Sequence, residues 1–344
     1  MACSTSGPAV TRLPFSSYRT PAENPSFPYF QAFVAFTANR LGTWAGIAYD
    51  GGNEFAIVTW RSGQPLHVLD RFAYTSTSFD TVADYGSVAV VGILPSGGVV
   101  AAVQPTTADY DGPRIGLVYL SGHRYQLRGS PRWQLVKPVG VTSSGAIIGW
   151  VNAYDVHHQL RHAVVRWASP VAAPTTVVST GLESPYPAVD RHGDIAYHVG
   201  DLTKVVLASG QTRTLGGLPG ALNHFAWVGD GGSTIYGTSD SETSSGAAVV
   251  AWPLADPPAA GPIPPHQLTG PGAYTQPMAV GPNGRVLNGY AVPSRMRTPA
   301  GGYPRLPAIL PVDTGLNPGE SIDQYGTVAF TSRSDGLVHF LRCP

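Results

Sequence analysis

Three histidines, an aspartate, a tyrosine and two arginines lie close together in the stretch AYDVHHQLRHAVVRW, residues 153–167. His158 and His162 are four residues apart, which is the metal-binding spacing on a helix. The alternating apolar run that begins at His162 predicts a strand instead, on which the two side chains would be about 13 Å apart. We therefore predict no metal site here. We expect Tyr154, His157 and His158 to lie on a loop, where they could bind a ligand or transfer a proton.

A repeated pattern indicates which elements position these side chains. An apolar residue, two or three turn-forming residues and a glycine precede a short apolar strand, as in VTSSGAIIGW and VDRHGDIAYHV. A second apolar strand follows and often leads through a turn to another, as in KVVLASGQTRTL. The glycine recurs 39 to 56 residues apart, at Gly42, Gly98, Gly145, Gly193, Gly232, Gly284 and Gly326. Repeated units of four short strands and this length are typical of a β-propeller.

We predict an all-β fold, a seven-bladed β-propeller of four-stranded blades that spans residues 1–344 as one domain. The last unit stops after its third strand, and the N-terminal segment, residues 1–27, contains an extra predicted strand at residues 8–15, PAVTRLPF. If this strand joins the C-terminal blade, the ring closes and its strand edges are protected. A set of β-sandwich domains is the rival interpretation, but no composition break or linker supports it.

The chain has two cysteines, Cys3 and Cys343, and both fall at the predicted seam. We therefore expect a disulfide between them, which in the chain-entropy model would stabilise the fold by up to about 5 kcal/mol. A stable disulfide indicates an oxidising compartment. The first residues lack the charged and apolar regions of a signal peptide, so either the protein is cytosolic or a signal was removed before this numbering begins. An extracytoplasmic location is slightly favoured over a cytoplasmic one.

Composition excludes several kinds of partner. Charged residues make up 12% of the chain and the formal net charge is zero, without a basic run, so we expect no nucleic-acid partner. No apolar run approaches the roughly 20 residues that span a bilayer, so we expect no transmembrane segment. We expect a monomer that binds a small-molecule ligand or substrate and needs no cofactor.

Two signatures of the repeat occur together in several units. GAIIG from Gly145 is followed by HAVVRW from His162, and looser copies are NHFAW from Asn223 and VHFLRC from Val338. These units resemble the HAF repeats of bacterial, mostly extracellular, propeller-like proteins. The resemblance implies a propeller and an extracytoplasmic setting. It implies no reaction and no role for any residue.

In a propeller, the loops between second and third strands share a face with the residues that lead into the first strands. Those loops are long and differ between units, so we expect function on this face; they are residues 104–114, 152–161, 239–246 and 293–305. Alignment on the repeated glycines places an inner ring of polar residues there, namely Gln134, Lys137, Tyr186, His224, Tyr274, Gln276 and Glu320. The ring offers the groups needed for proton transfer and for holding a polar ligand.

We predict His224 as the catalytic acid or base, with Tyr186, Tyr274 and Glu320 orienting the substrate and Gln134, Lys137 and Gln276 binding it. The competing interpretation of His224 is a structural histidine that bonds a backbone carbonyl. A single asymmetric funnel favours an enzyme that acts on a small polar organic molecule by acid-base chemistry, of lyase, cyclase or hydrolase type.

The first alternative function is a non-catalytic propeller that binds a small ligand or a carbohydrate, and the second is a protein-interaction scaffold. A carbohydrate binder would repeat its site in each blade, and a scaffold would present a charged rim or a broad apolar patch. The sequence shows neither feature, and the fold alone does not choose a function.

Overall fold

The structure is a computed structural model, and the fold is stated for the residues that it describes. These are residues 4–5, 12–16, 32–39, 41–49, 54–73, 88–103, 115–229, 233–241, 247–255, 257, 260–268, 276–280, 286–289, 295–297, 321–322, 327–331 and 338–342. Every helix or strand assigned among them is a β-strand. Within these ranges no helix is long and apolar enough to cross a membrane.

The described strands form seven antiparallel sheets. The chain begins with β1 (Ser4–Thr5). The first sheet contains β2 (Ala32–Ala38), β3 (Trp44–Tyr49), β4 (Glu54–Trp60) and β5 (His67–Ala73). The second contains β6 (Val88–Ile93), β7 (Val99–Val103), β8 (Ile115–Leu120) and β9 (His123–Gln126). The third contains β10 (Trp133–Val141), β11 (Ile147–Tyr154), β12 (Leu160–Trp167) and β13 (Thr175–Gly181).

The remaining sheets follow in chain order. The fourth contains β14 (Ala188–Val189), β15 (Ile195–Val199), β16 (Leu202–Val206) and β17 (Thr212–Thr214). The fifth contains β18 (Ala221–Gly229), β19 (Thr234–Ser241), β20 (Ala248–Pro253) and β21 (His266–Gln267). The sixth contains β22 (Gln276–Val280), β23 (Val286–Gly289) and β24 (Arg295–Arg297). The seventh contains β25 (Ser321–Ile322), β26 (Thr327–Thr331) and β27 (Val338–Arg342), with β1 as its outer strand.

The first strands of the sheets form a closed ring. Each of β2, β6, β10, β14, β18, β22 and β25 contacts the next, and β25 contacts β2. Sheets arranged as blades around such a ring make a β-propeller, so the predicted all-β propeller is confirmed. In the described residues six sheets have four strands and one has three, and the seven sheets correspond to the seven repeat units. That residues 1–344 form one domain stays a prediction.

The repeated glycine closes the turn between the first and second strands of a sheet. Gly145 donates its N–H to the carbonyl of Thr142, and Gly193 donates to the carbonyl of Asp190. Both glycines have positive φ, 83° and 105°, where any other side chain is strained. The most regular signal in the sequence is therefore a requirement of backbone geometry.

The N-terminal segment joins the C-terminal blade as predicted, but with different residues. β1 pairs with β27, Ser4 opposite Arg342 and Thr5 opposite Leu341. The predicted strand at residues 8–15 is wrong: its described part is not a strand. Leu13 and Phe15 are instead buried in the core between the first and last sheets, and a proline between them has no N–H to donate to a strand pairing. Cys3 and Cys343 lie outside the described residues.

Two of the predicted long loops differ from the structure. In the stretch of residues 152–161, β11 continues to Tyr154 and β12 starts at Leu160, so only a short turn connects them. The stretch of residues 293–305 contains β24, the third strand of the sixth sheet. The third strand was expected from residue 306 onward, and that segment lies outside the described residues. In both places turn-forming residues predicted a loop where the structure has strand residues, because cross-strand pairing overrides local propensity.

The tryptophan that ends the third strand is part of the framework. Trp167 donates its indole N–H to the carbonyl of Arg128 at 2.7 Å, and Trp252 donates to the carbonyl of Gly216 at 2.8 Å. Both side chains are completely buried, and each indole ties its own blade to the linker that enters it. This recurring contact explains the tryptophan of the repeat in structural terms.

Candidate functional site

The predicted site residues occupy different environments. Gln134 is exposed near the start of β10, and Lys137 is half-buried in the same strand. Tyr186 is exposed just before β14. Gln276 lies in β22 opposite Gly289, but its side chain is outside the described part of the structure. Tyr274 and Glu320 also lie outside the described residues, so their predicted roles stay predictions.

His224 is held by the backbone around it. Its Nε2 lies 2.8 Å from the carbonyl oxygen of Leu215, to which it donates. The carbonyl of His224 accepts a hydrogen bond from the hydroxyl of Thr203 at 2.6 Å. The ring is half-buried and lies 6.2 Å from the ring of Trp252. This geometry matches the alternative of a structural histidine, and a catalytic role for His224 stays a prediction.

His157 and His158 lie in the short turn between β11 and β12. The Asp155 carboxylate organises this turn, because its Oδ1 accepts the N–H groups of His157 and Gln159. Its Oδ2 accepts a hydrogen bond from Nε of Arg161 at 2.8 Å. The Gln159 N–H, followed by Arg161, lowers the pKa of Asp155. Both histidines are exposed, and no group of three His, Cys, Asp or Glu able to hold a metal occurs in the described residues.

A different set of side chains meets on the face of the third sheet that looks toward the fourth. Lys137 pairs with Trp150 across β10 and β11, and Asn152 pairs with His162 across β11 and β12. Directly opposite residues of an antiparallel pair project from the same face. Further along that face, Ile148 and Val164 pack against residues of the fourth sheet. We call Lys137, Trp150, Asn152, His162 and Tyr186 the third-blade cluster.

Aromatic contacts hold the cluster together around Trp150. The ammonium nitrogen of Lys137 lies 5.5 Å from the centre of the Trp150 ring, within the range of a cation-π interaction. The Tyr186 ring meets the Trp150 ring edge-on at 5.1 Å, and the His162 ring meets it at 6.0 Å. A positive charge, an indole and an imidazole are therefore adjacent near the middle of the blade.

Buried polar atoms of the cluster lack hydrogen-bond partners. Six such side-chain atoms occur in the described residues, and three of them are Trp150 Nε1, Asn152 Oδ1 and His162 Nδ1. A buried polar atom without a partner costs about 1 to 3 kcal/mol, and such atoms are rare in native proteins. His162 is only 6% exposed, and burial lowers its pKa. The cluster thus combines a neutral imidazole, an indole donor and an amide, all unpaired.

Sequence reasoning found two members of this cluster and missed three. Lys137 and Tyr186 were predicted as site residues. His162 was interpreted as blade framework, and Trp150 and Asn152 were not singled out. The available signal was an asparagine inside IIGWVNAY, an otherwise apolar strand, because amide side chains are unusual in buried strands.

A second polar network lies between the fourth and fifth sheets and is fully paired. Nδ1 of His198 lies 3.1 Å from the hydroxyl of Thr203, and that hydroxyl donates to the carbonyl of His224. The hydroxyl is therefore free to accept a hydrogen bond from Nδ1. Burial lowers the pKa of His198 to about 4. Because its partners are satisfied, this network is suited to fixing the two blades together.

Two exposed aromatic residues, Phe225 and Trp227, lie on the inner strand β18. Their ring centres are 6.1 Å apart, and the Trp227 indole N–H donates to the hydroxyl of Thr238 at 3.0 Å. These rings could support a flat ligand inside the ring of inner strands. They carry no unpaired buried polar atom of the kind found in the third-blade cluster.

Comparison with known proteins shows the fold alone. No protein-family model matches the chain, and no curated protein matches it in sequence. A prolyl endopeptidase structure matches with a TM-score of 0.55 and 14% identity over 92% of this chain and 51% of that one. Prolyl oligopeptidase B from Galerina marginata matches with a TM-score of 0.53 and 12% identity over 89% of this chain and 48% of that one. The chain therefore spans about half the length of these enzymes.

A weaker match is the gluconolactonase XC5397 from Xanthomonas campestris, with a TM-score of 0.41 and 14% identity over 99% of this chain and 100% of that one. At identities this low the comparisons support a propeller and transfer no activity or site residue. The resemblance to HAF repeats stays a prediction.

Proposed function

We propose that the protein is an enzyme that binds a small organic carboxylic ester or lactone at the third-blade cluster and hydrolyses it by acid-base chemistry. The observation that supports this proposal is the meeting of three unpaired buried polar atoms with the ammonium of Lys137. A carbonyl oxygen of the ligand that accepts the Trp150 indole N–H, and an attacking water that donates to His162 Nδ1 and Asn152 Oδ1, would recover the free energy that the burial of these atoms costs. The cluster lies in a single blade interface, which fits one asymmetric site.

Each member of the cluster has a chemical role in this proposal. The neutral imidazole of His162 takes a proton from the water that attacks the carbonyl carbon, since burial lowers its pKa and keeps it unprotonated. When the tetrahedral intermediate collapses and the acyl C–O bond breaks, the imidazolium returns this proton to the departing oxygen, which yields the acid and the alcohol. The indole N–H of Trp150 and the ammonium of Lys137 stabilise negative charge on the carbonyl oxygen, because donors in a site sheltered from water act strongly on developing charge. Asn152 orients the ligand, and Tyr186 covers it.

The test is the hydrolysis of p-nitrophenyl propionate, followed by the release of p-nitrophenol. We expect His162→Gln to lower kcat by about 100-fold or more, the usual contribution of a general base. The variant His266→Asn is the matched control, since His266 is exposed on the outer strand β21, and it should keep the wild-type rate. Equal rates for His162→Gln and the wild type would refute the assignment. Thermal melting of each variant separates lost chemistry from lost folding.

A non-catalytic binding site is the second candidate, and the burial of His162 favours it. A ring that is 6% exposed is well placed to hold a ligand but poorly placed to exchange protons with water. Under this alternative, the cluster binds propionate while p-nitrophenyl propionate is not hydrolysed. Calorimetric titration of the wild type with propionate, read beside the hydrolysis assay, distinguishes the two candidates: binding with hydrolysis supports the enzyme, and binding without hydrolysis supports the binding site. Lys137→Met should lose propionate binding under either candidate, so it tests the position of the site.

A further inference from the structure

Large apolar side chains are exposed around the third-blade cluster. Among the described residues, nine large hydrophobic side chains are exposed. Six of them belong to the third and fourth blades, and all of these except Val171 lie at one end, namely Tyr154, Val156, Leu182, Tyr186 and Leu202. Val156 is 86% exposed and Leu182 is 56% exposed. Single exposed apolar residues are common, but a group of them marks a binding surface.

These five residues all lie at the same end of the two blades. Tyr154 ends β11, and Val156 lies in the turn to β12. Leu182 follows β13, and Leu202 begins β16. Because adjacent strands are antiparallel, these positions share the end at which the chain leads into β14, where Tyr186 lies. Tyr186 belongs to the third-blade cluster, and its ring meets that of Trp150 at 5.1 Å, so the cluster reaches this end of the blade through Tyr186. We call the other four residues the apolar rim.

The backbone of the rim is held in place by hydrogen bonds. The Asp155 carboxylate fixes the turn that carries Val156. The segment that carries Leu182 is tied to both blades, since Thr180 donates to the carbonyl of Glu183 at 2.7 Å and the Glu183 carboxylate accepts the Gly200 N–H. A surface that is already ordered loses little conformational entropy when it binds a ligand. The apolar rim is therefore an ordered surface on which the apolar part of a ligand can pack.

We infer that the molecule bound at the third-blade cluster is amphipathic, with a carboxylate or ester head and an alkyl chain or ring that lies across the apolar rim. This inference rests on the proposed function and names its substrate class. The oxygens of the head accept hydrogen bonds from the Lys137 ammonium and the Trp150 indole N–H, and the chain covers side chains that otherwise face water. Continuity between the cluster and the rim through Tyr186 favours one ligand that spans both.

The test compares the binding of acetate, butyrate, hexanoate and octanoate by isothermal titration calorimetry. Burial of one methylene is worth up to about a fourfold gain in affinity, so we expect affinity to rise at least about twofold per added methylene once the chain reaches the rim. The double variant Val156→Ser, Leu182→Ser should weaken octanoate binding by about tenfold and leave acetate binding within about twofold. Val171→Ser is the matched control, because Val171 is exposed to nearly the same extent as Leu182 and lies at the opposite end of the third blade.

Equal affinities for acetate and octanoate in the wild type would overturn the inference and leave the proposed function standing. If no acid in the series binds and p-nitrophenyl propionate is not hydrolysed, both proposals fall. A lipid surface is the other possible occupant of the rim. The inference would be overturned in its favour if the wild type, but not the double variant, sediments with phosphatidylcholine vesicles and monomeric octanoate does not bind.

Discussion

Asp190 should make the stability of this protein fall as the pH rises. The side chain is 1% exposed in the turn between β14 and β15. Its Oδ1 accepts the N–H groups of Gly193 and Asp194, at 2.8 and 2.9 Å. Burial, followed by the charge of Asp194, nevertheless raises the pKa of Asp190 from 3.8 to about 8. The carboxyl group is therefore protonated in the folded protein under conditions where it ionises in the unfolded chain.

The sign and size of the effect follow from proton linkage. Between the unfolded and folded pKa values the folded state binds the extra proton, so the free energy of unfolding falls as the pH rises through this window. A folded pKa of about 8 against 3.8 corresponds to a ceiling of about 6 kcal/mol, fully lost above the folded pKa. Because Asp194 shares the burial and the repulsion, we expect about 2 to 4 kcal/mol from Asp190 itself.

The substitution Asp190→Asn isolates the contribution of Asp190 ionisation to the free energy of unfolding, because asparagine keeps the accepting oxygen and cannot ionise. Relative to the wild type, the variant should gain stability steadily between about pH 4.5 and about pH 8.5. At roughly 2 °C per kcal/mol, the difference in Tm between the two proteins should grow by about 4 to 8 °C. Asp201→Asn is the control, since Asp201 is exposed. A Tm difference that does not change with pH would refute the reasoning.

Three further predictions concern other residues. Burial lowers the pKa of His198 to about 4, so in an NMR titration this histidine should stay neutral at pH 5. Because the unfolded chain binds the proton more readily, the contribution of His198 to the free energy of unfolding should fall as the pH drops below 6.5. A titration midpoint near 6.5 would contradict this prediction. The disulfide between Cys3 and Cys343 stays a prediction from their positions in the sequence; a thiol assay on unreduced, denatured protein should find no free thiol, and two would refute it. Trp167→Phe should cost about 1 to 3 kcal/mol in urea unfolding because it leaves the Arg128 carbonyl unpaired, and an unchanged midpoint would contradict that role; Trp227→Phe, at an exposed site, should cost less.

The propeller could be predicted because its signal is periodic. The turn that needs Gly145 or Gly193 at positive φ returns in unit after unit, and the apolar strands return with it. An N-terminal edge partner for the seventh sheet was also expected, and β1 is paired there with β27. The residues of this partner strand were not predictable, because the apolar residues Leu13 and Phe15 are equally suited to an edge strand and to a segment without regular structure that is buried in the core.

The third-blade cluster could be predicted only in part because it depends on register. Trp150 and His162 become neighbours through the pairing of β11 with β12, and Lys137 joins them through the pairing of β10 with β11. A one-residue change in either register would turn the side chains to the opposite face. Sequence spacing contains no information on this register, so the glycine alignment selected Lys137 and Tyr186 but not Trp150, Asn152 or His162.

The most direct test of the account is a ¹H–¹⁵N spectrum of the tryptophan indoles during titration with propionate and octanoate. The chain has seven tryptophans, and single Trp→Phe variants assign their signals. Trp150 has an unpaired indole nitrogen, so its signal should move as a ligand accepts its N–H. The signals of Trp167 and Trp252, which already donate to carbonyls, should stay in place. Movement of the Trp227 signal with that of Trp150 unchanged would place the ligand on the inner strand β18 and contradict the proposed site.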